Sequence, residues 1–468
     1  MVKRILLVFV LVILFLFIGK TAGKLPRSEN FSACRGCNVV LISVDTLRQD
    51  HLSLYGYGRK TSPNLDEFAK NARVYQNFYS SAPWTLPSFA SLFTSDYPQN
   101  IKMQIGTDVL AEKYTTIAEV LNENGYETVG INSATFVSKA RGFSQGFDSF
   151  RSFEPKENHQ DIDLIIPEAM KWLGNNRSKK FFMFLHTFQV HDPYCPPGEF
   201  DQFGGDLPSA TKCVDVNMIA KNNRGEKVLP IEELERFVSL YDGEILFTDY
   251  MLGELFKTLG KLNLDKKTIV IVTADHGEEF GERGNWGVHS YSLYNELIRV
   301  PLIIKAPNFD PGREEKPASI VDIAPTILDL VGLQKSVEFK GTSLRNIGQD
   351  HVVYAQTSNV STVNRYLDRI YSEVRSIPLK IRGAEAPITR ESVMQNGWKL
   401  IADNTNGKKE LYDMRSDPLE KNNLAGNNLE QETKLLELML RFKEENTDQK
   451  STLEEDIKGI FDYIISGT

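Results

Sequence analysis

Two runs of apolar residues, each closed by an aspartate, constrain the fold of this chain more than any other feature. Asn38–Asp45 has the sequence NVVLISVD, and Lys267–Asp275 has the sequence KTIVIVTAD. Continuous apolar runs of this length are typical of strands buried on both faces of a parallel sheet. In open α/β sheets the ligand crevice lies at the carboxyl ends of the strands. Asp45 and Asp275 are therefore predicted at that edge, although an acid that only opens a turn is the alternative for Asp45 alone.

Strand and helix patterns alternate along the rest of the first two thirds of the chain. Further strands are predicted at 127–132, 181–186 and 299–307, and helices at 115–124, 231–262 and 321–331. The last helix is expected to have a short interruption at Pro325. This alternation predicts an α/β fold with a mostly parallel central sheet covered by helices on both faces. The 468 residues suffice for one large domain with a smaller companion.

The pattern changes near position 336, where the predicted strands become shorter and more polar. We predict a catalytic domain over 38–335 and a small antiparallel C-terminal subdomain over 336–425. A helical tail over 426–468 contains two amphipathic patterns, which are expected to pack on the body rather than on a membrane or a partner. Residues 24–37 form the predicted linker before the catalytic domain.

The N-terminus has the pattern of an export signal. Lys3 and Arg4 precede an unbroken apolar run at 5–18, and Lys20 follows it. The run is short for a membrane span, which needs about 20 residues, yet its flanking cations could reach the interface and let it span. Residues 1–23 are therefore predicted to be a cleaved signal peptide or a retained membrane anchor. Both alternatives predict an exported protein that is periplasmic, extracellular or membrane-anchored and facing outward.

The cysteines bear on the expected disulfides, and the net charge bears on the expected partners. The four cysteines fall into two pairs, Cys34 with Cys37 and Cys195 with Cys213. In an exported chain, structural disulfides are favoured over free thiols. The net charge is −8 and no block rich in Lys or Arg stands out, so nucleic acid is not an expected partner.

A threonine at a predicted helix start supplies a candidate nucleophile. In Ala82–Ser95, APWTLPSFASLFTS, Pro87 suits a first helical turn and apolar residues then recur at helical spacing. A helix start presents unpaired N–H groups and the positive end of the dipole, which suit a sulfate or phosphate oxyanion. Thr85 would face the anion that it attacks, and a simple helix cap is the alternative.

Four residues have side chains that could meet at one divalent metal ion: Asp45, Thr85, Asp275 and His276. Coordination would lower the pKa of the threonine hydroxyl, which is otherwise a poor nucleophile. His191 and His289 are the candidates for protonating the leaving group or contacting the anion. His186 lies inside a strand pattern and is interpreted as a core histidine.

Several stretches, in the same order, resemble the sulfatases within the wider alkaline-phosphatase-like superfamily. They begin with NVVLISVDTLRQDHLSLYGYGRKTSPNLDEFA, WTLPSFASLFTSDYP and FFMFLHTFQVHDPY, and continue with YDGEILFTDYMLGEL, TIVIVTADHGEEFGERG, HSYSLYNELIRVPLIIKAP, VDIAPTILDLVGL and ELYDMRSDPLEKNNLA. The resemblance covers roughly residues 38–425. It implies an alkaline-phosphatase/sulfatase-like fold, the same four metal-site residues, His191 and His289 facing the anionic group, and a small C-terminal domain with a four-stranded sheet.

Three departures from the sulfatase pattern bear on the chemistry. Many sulfatases carry C-x-P-S-R, whose cysteine becomes formylglycine, but residues 85–89 are TLPSF. Superfamily members with threonine here, such as lipoteichoic-acid synthases and phosphoethanolamine transferases, form a phosphothreonine. Thr46 stands where many relatives have a second aspartate, which weakens the case for Ca²⁺ and leaves Mn²⁺ or Zn²⁺ open. Residues 189–194 are QVHDPY where many relatives have D-P-H-x-P-Y.

Together these features predict an exported, metal-dependent hydrolase that cleaves a sulfate or phosphate ester through Thr85, with phosphate mono- or diesters favoured. One alternative is a membrane-anchored transferase of phosphoryl headgroups that uses the same threonine. Another is a non-catalytic binding protein on this fold. The expected cofactor is one divalent ion (Mn²⁺, Zn²⁺ or Ca²⁺), the substrate a small-molecule, glycan or lipid ester, and residues 5–18 could associate with a membrane.

Overall fold

The computed structural model describes residues 33–133, 136–153, 161–205, 213–358 and 388–446. The apolar run at 5–18 and the second amphipathic pattern of the tail, near 453–464, lie outside these ranges. Of the helices in the described ranges, none is both long and apolar enough to cross a membrane.

The strands of the described ranges are β1 Asn38–Val44, β2 Arg73–Tyr75, β3 Phe78–Tyr79, β4 Glu127–Ser133, β5 Ser149–Phe153, β6 Phe181–Thr187, β7 Thr268–Ala274, β8 Glu279–Phe280, β9 Trp286–Val288, β10 Leu302–Lys305, β11 Gly312–Glu314, β12 Ala318–Ser319, β13 Val353–Ser358, β14 Ile388–Gln395, β15 Trp398–Asp403 and β16 Lys409–Asp413. The α-helices are α1 Pro63–Ala69, α2 Thr85–Thr94, α3 Pro98–Ile101, α4 Ile117–Glu123, α5 Ile162–Asn176, α6 Val216–Asn223, α7 Ile231–Lys261, α8 Asn295–Ile298, α9 Ile323–Val331 and α10 Leu429–Asn446.

An eight-stranded sheet forms the centre of the described part of the chain, in the order β11-β2-β10-β7-β1-β6-β4-β5. Strands β7, β1, β6, β4 and β5 run parallel, whereas β10 is antiparallel to both of its neighbours. Every residue of β1, β6 and β7 is buried, as expected of strands covered on both faces. The predicted α/β fold with a mostly parallel central sheet is confirmed.

The register of the three central strands sets the position of the site. Val44 pairs with Thr187 of β6 on one side and with Ala274 of β7 on the other. Parallel strands in this register end at the same edge of the sheet. The residues that follow β1 and β7, Asp45 and Asp275, therefore leave the sheet side by side.

Two groups of helices cover the sheet. Helix α5 contacts β4, β6 and α7, and α7 also contacts α1, while α2 packs on α9, α3 and α4. All ten residues of α2 are buried, with Pro87 in its first turn as predicted. The predicted interruption at Pro325 is wrong, because α9 runs through it. Pro325 lies in the first turn of the helix. Backbone N–H groups in that turn make no intrahelical hydrogen bond, so the missing N–H of proline costs none.

The C-terminal part forms a separate antiparallel sheet in the order β13-β14-β15-β16, which confirms the predicted small four-stranded sheet. Helix α10 packs on β14 and β15 and buries Leu435 and Met439. The ring of Phe442 stacks on Tyr354 with the centroids 3.9 Å apart. This helix therefore packs on the body as expected, while the exact domain boundaries stay predictions.

Candidate active site

Three of the predicted metal ligands meet at the carboxyl ends of β1 and β7. Asp45, Asp275 and His276 have no exposed surface, and each offers a ligand atom within 4.8 Å of the others. His276 Nε2 lies 3.6 Å from Asp45 Oδ1 and 3.4 Å from Asp275 Oδ2. The fold thus brings together the two strand-closing acids and the histidine that the sequence pattern singled out.

Each carboxylate has one oxygen held in place and one that is bare. Asp275 Oδ1 accepts hydrogen bonds from the backbone N–H groups of Thr46 (3.3 Å) and His276 (2.9 Å). Asp45 Oδ2 lies 3.2 Å from His186 Nε2. Asp45 Oδ1 and Asp275 Oδ2 are buried and have no hydrogen-bond partner among the described residues. Buried polar atoms are nearly always paired, so the two bare oxygens indicate a group that is bound there in the working protein.

The tautomer of His276 completes the fit to a cation. Its Nδ1 lies 2.8 Å from the carbonyl oxygen of Gly277, and because a carbonyl oxygen only accepts, Nδ1 must donate. In the neutral ring, Nε2 then presents a lone pair to the two bare carboxylate oxygens. Three electron-rich atoms that converge in this way repel one another but suit a divalent cation. The residues present therefore fit the divalent metal that the resemblance implies.

The pKa shifts at this centre reflect the same crowding of charge. Burial, followed by the charge of Asp45, raises the pKa of Asp275 well above its ordinary value. Burial also opposes ionisation of Asp45, but the hydrogen bond to His186 and the nearby histidine charges lower its pKa to about 2. Burial, with a contribution from the charge of His289, lowers the pKa of His276 to about 3. One acid therefore ionises readily and the other resists a second negative charge beside it.

Thr85 is the first residue of α2, and its hydroxyl faces the predicted metal ligands. Its Oγ1 lies 3.3 Å from His276 Nε2 and 3.5 Å from Asp45 Oδ2. Trp84 occupies the N-cap position, so the threonine is not the cap of its helix. Ser88, one turn on, donates to the carbonyl oxygen of Asp275 at 2.7 Å and ties the first turn of α2 to the end of β7.

His191 and His289 lie beside this centre on loops. Their ring centroids are 5.2 Å apart, and that of His289 is 4.5 Å from His276. Asp192 Oδ1 lies 2.7 Å from Nδ1 of His191. Although burial acts to lower the pKa of His191, the charge of Asp192 and its hydrogen bond raise that pKa to about 10. The two predicted catalytic histidines are thus next to each other and to the predicted metal ligands.

Two residues of the site were missed by the sequence reasoning. His186 is buried, as predicted for a core histidine, but it also contacts Asp45. The signal available in the sequence was that His186 closes a predicted strand, and so lies near the same edge of the sheet as Asp45. Glu278, also fully buried, lies 3.1 Å from Nδ1 of His289, and the Tyr194 hydroxyl donates to it at 3.4 Å. It follows His276 with only Gly277 between them, which was the signal available in the sequence.

The cysteines form two disulfides, the state that the sequence favoured over free thiols. Cys34 is bonded to Cys37, and Cys195 is bonded to Cys213. The second disulfide lies on the loop that contains His191, where the backbone N–H of Cys195 also donates to Glu244 Oε1 at 2.6 Å. This loop is therefore fastened both covalently and by a buried carboxylate.

The chain matches the models of two known families. Residues 37–333 match the model of the sulfatase family, and residues 284–448 match a model described as N-sulphoglucosamine sulphohydrolase, C-terminal. The chain belongs to the sulfatase family. Its fold is accordingly the sulfatase/alkaline-phosphatase-like α/β fold with a small four-stranded C-terminal sheet.

Individual members of the sulfatase family and their structural relatives are distant in sequence. Arylsulfatase K of Rattus norvegicus is 24% identical over 464 residues, with 90% of this chain and 80% of the relative covered. The structure of BT4656 in complex with its substrate D-glucosamine-2-N,6-O-disulfate is 19% identical, with a TM-score of 0.70 and 88% of this chain and 99% of that chain covered. The phosphonate monoester hydrolase SpPMH from Silicibacter pomeroyi is 20% identical, with a TM-score of 0.68 and coverage of 88% and 96%. At these identities the two structures establish similarity of fold alone.

Proposed function

We propose that the protein is an exported, metal-dependent ester hydrolase in which the Thr85 hydroxyl attacks the central atom of a bound phosphate or sulfate ester, with phosphate esters favoured. The observation that carries the proposal is the position of Thr85 Oγ1, within 3.5 Å of both Asp45 and His276 at the start of a buried helix. A hydroxyl so placed is next to three groups that suit a cation and to the N–H groups of a helix start.

Asp45, Asp275 and His276 would hold one divalent ion beside Thr85. Bound there, such an ion would neutralise negative charge on the ester and lower the pKa of the threonine hydroxyl. The first turn of α2 adds its unpaired N–H groups and the positive end of its dipole, so the chain itself favours an anion at the same point. The Thr85 hydroxyl releases its proton to solvent, and Oγ1 forms a bond to phosphorus or sulfur while the bond to the leaving-group oxygen breaks.

His289 and His191 provide the proton for the departing oxygen and a contact for the anion. Glu278 engages Nδ1 of His289, so Nε2 is the nitrogen through which His289 serves the leaving group. His191, whose pKa Asp192 raises to about 10 against the effect of burial, is protonated at neutral pH and suits a contact with the anionic oxygens. Water then cleaves the covalent intermediate at its central atom and restores the hydroxyl.

This second step is the reason for favouring phosphorus. Threonine has one hydroxyl on its reacting carbon, so it cannot expel the anion in the way that a hydrated formylglycine does. The covalent ester must instead be hydrolysed by water at the central atom, as happens with phosphothreonine. The phosphonate monoester hydrolase with the same fold supports this choice, while the relationship to arylsulfatase K supports a sulfate ester.

The deciding experiment assays the purified protein with added Mn²⁺, Zn²⁺ or Ca²⁺ on an aryl sulfate, an aryl phosphate and a bis-aryl phosphodiester. We expect metal-dependent turnover that is faster on a phosphorus ester. Thr85→Ala should abolish it, while Thr85→Ser should retain part of it. Thr94→Ala is the matched control, because Thr94 is a buried threonine of the same helix whose hydroxyl donates only locally, to Ala90 at 2.7 Å. Acid quenching followed by mass spectrometry should find the adduct on Thr85.

The outcomes separate the alternatives. Substantial turnover by Thr85→Ala would overturn the nucleophile, and turnover of the sulfate alone would move the substrate to sulfur. Turnover that needs an added alcohol acceptor would indicate headgroup transfer. The absence of metal-dependent turnover on every ester would favour a binding protein. The signal-like pattern at 1–23 and the two disulfides support export, and N-terminal sequencing of the mature protein distinguishes cleavage from a retained anchor.

A further inference from the structure

His186 connects Asp45 to the next strand but one in the sheet. Its Nδ1 lies 2.6 Å from the carbonyl oxygen of Ser133 at the end of β4, and its Nε2 lies 3.2 Å from Asp45 Oδ2. Because the carbonyl oxygen of Ser133 and the carboxylate oxygen of Asp45 both only accept, the ring donates from both nitrogens, and the two hydrogen bonds fix its plane. Phe89 also packs edge-on against the ring, with the centroids 4.6 Å apart. The fully buried side chain therefore has no room to turn Nε2 away from Asp45.

Thr46, the immediate neighbour of Asp45, does not share this task. Its hydroxyl donates to the carbonyl oxygen of Val190 at 2.9 Å, and its backbone N–H donates to Asp275 Oδ1 at 3.3 Å. The two acids are thus supported in different ways. Backbone amides hold Asp275, whereas the side chain of His186 makes the shortest contact to Asp45, since the Thr85 hydroxyl is 3.5 Å away.

We propose that His186 is a positioning residue that determines which oxygen of Asp45 faces the metal ion. By holding Oδ2, it leaves the bare Oδ1 in the group formed with Asp275 and His276. A carboxylate that is free to rotate would present its ligand oxygen for only part of the time. Groups that hydrogen-bond to ligating side chains typically change metal affinity by about 10- to 100-fold when they are removed. This inference rests on the metal site of the proposed function.

Three substitutions at one position dissect the two contacts of the ring. His186→Asn keeps an amide that reaches about as far as Nδ1, and so retains the contact with Ser133 and loses the one with Asp45. His186→Gln carries its amide about as far as Nε2 and retains the contact with Asp45. His186→Phe keeps the aromatic packing and loses both. His351→Phe is the matched control. His351 lies away from the site, and its Nε2 is 3.0 Å from Asp322 Oδ2.

The test titrates the ion-free protein with Mn²⁺ alone and with Zn²⁺ alone in a calorimeter and records its thermal unfolding without metal. We expect affinity to fall about 10- to 100-fold in the Asn and Phe variants, with Gln and the control close to the parent. Affinity in the Asn and Phe variants that equals the parent, or a Gln variant as weak as Phe, would overturn the inference. Both results leave the proposed function intact, whereas a parent protein that binds neither ion would overturn the metal site itself. Thermal unfolding of the ion-free variants shows whether a loss of metal affinity comes from a less stable fold. If the Asn and Phe variants are destabilised, the metal affinity of the Gln variant decides between a structural defect and the loss of the contact with Asp45.

Discussion

The floor of the site and its rim are built in different ways. The floor consists of Asp45, Asp275 and His276, which follow central strands and have no exposed surface. The rim consists of His191 and His289, which lie on loops and keep 16% and 22% of their side-chain surface exposed. Backbone groups orient most of the floor, whereas carboxylates orient the rim.

This difference separates what each region can do. The floor presents the same atoms whatever is bound, because the strands and their hydrogen bonds fix it. The two rim histidines are paired with Asp192 and Glu278, so their orientation depends on two carboxylates rather than on the strands. Damage to the floor should therefore remove the metal, whereas damage to the rim should change the rate and its dependence on pH and leaving group.

The largest effect is expected from Asp275→Asn, which removes a bare oxygen from the floor. Turnover should fall by about a thousandfold or more, because a bound metal contributes several kcal/mol to the transition state. The ion-free protein should become more stable, since burial and the charge of Asp45 already raise the pKa of this acid and oppose its ionisation. Thermal unfolding with and without Mn²⁺ measures both effects. Asp329→Asn, at an acid paired with Arg345, is the control for loss of charge alone.

An Asp275→Asn variant that is less stable without metal, yet still gains stability from Mn²⁺, would contradict the distinction between floor and rim.

The pH dependence of stability gives a second test of the Asp275 carboxyl group. Because the pKa of Asp275 is raised, the ion-free parent should lose stability as pH increases and this acid is forced to ionise. The variant should lack that part of the pH dependence.

The next effect is expected at the rim, from Glu278→Gln. The change removes the acid that engages His289 Nδ1, so proton donation to the leaving group should slow by about a hundredfold. The loss should be large for an alkyl ester and small for a 4-nitrophenyl ester, whose departing oxygen needs no proton. Tyr194→Phe is the control, because it removes only the 3.4 Å contact to the same acid. Equal losses on both esters would indicate a structural defect instead.

A smaller effect is expected from Asp192→Asn, and it concerns pH. Asp192 raises the pKa of His191 to about 10 against the effect of burial. The stabilisation from a protonated His191 is therefore complete below its ordinary pKa of about 6.5 and is lost as pH rises toward about 10. Without the acid, the alkaline fall of kcat/KM should move to lower pH. A profile of kcat/KM against pH that does not change would show that His191 does not govern the alkaline limb.

The smallest effect is expected from Thr46→Val, which leaves the backbone of the floor in place. The variant loses the hydrogen bond to the Val190 carbonyl oxygen, so unfolding should become easier by about 1 kcal/mol. Metal affinity should stay within about threefold of the parent, because the backbone N–H still reaches Asp275. Denaturant unfolding and calorimetry measure the two quantities. A large loss of metal affinity would mean that the side chain at position 46 belongs to the floor.

The floor could be predicted from the sequence because it depends on strand ends. An apolar run closed by an acid carries both the strand and the ligand, and parallel strands bring such ends together without any knowledge of the loops. His186 and Glu278 could not be assigned roles in the same way. The contact of His186 depends on its register beside Ser43 of β1, and that of Glu278 on the path of the chain between β7 and His289. Both are decided by tertiary packing.

Helix α2 was also predictable in its start and less so in its surroundings. Pro87 and the helical spacing of apolar residues mark the first turn, but nothing in that stretch shows that all ten residues are buried. The orientation of the Thr85 hydroxyl toward the acids follows from the packing of α2 on the sheet and from the bond between Ser88 and the end of β7. The error at Pro325 has a related origin, because the position of a proline within a helix decides whether it interrupts that helix.

Complete burial of α2 has a consequence for how such an enzyme could acquire a new reaction. Thr85 is 3% exposed and the rest of its helix is buried, so a residue of similar size there would meet the same surroundings. A new reaction at this centre would thus be gained by replacing the reactive side chain at position 85. Substrate specificity would be determined by the surrounding loops.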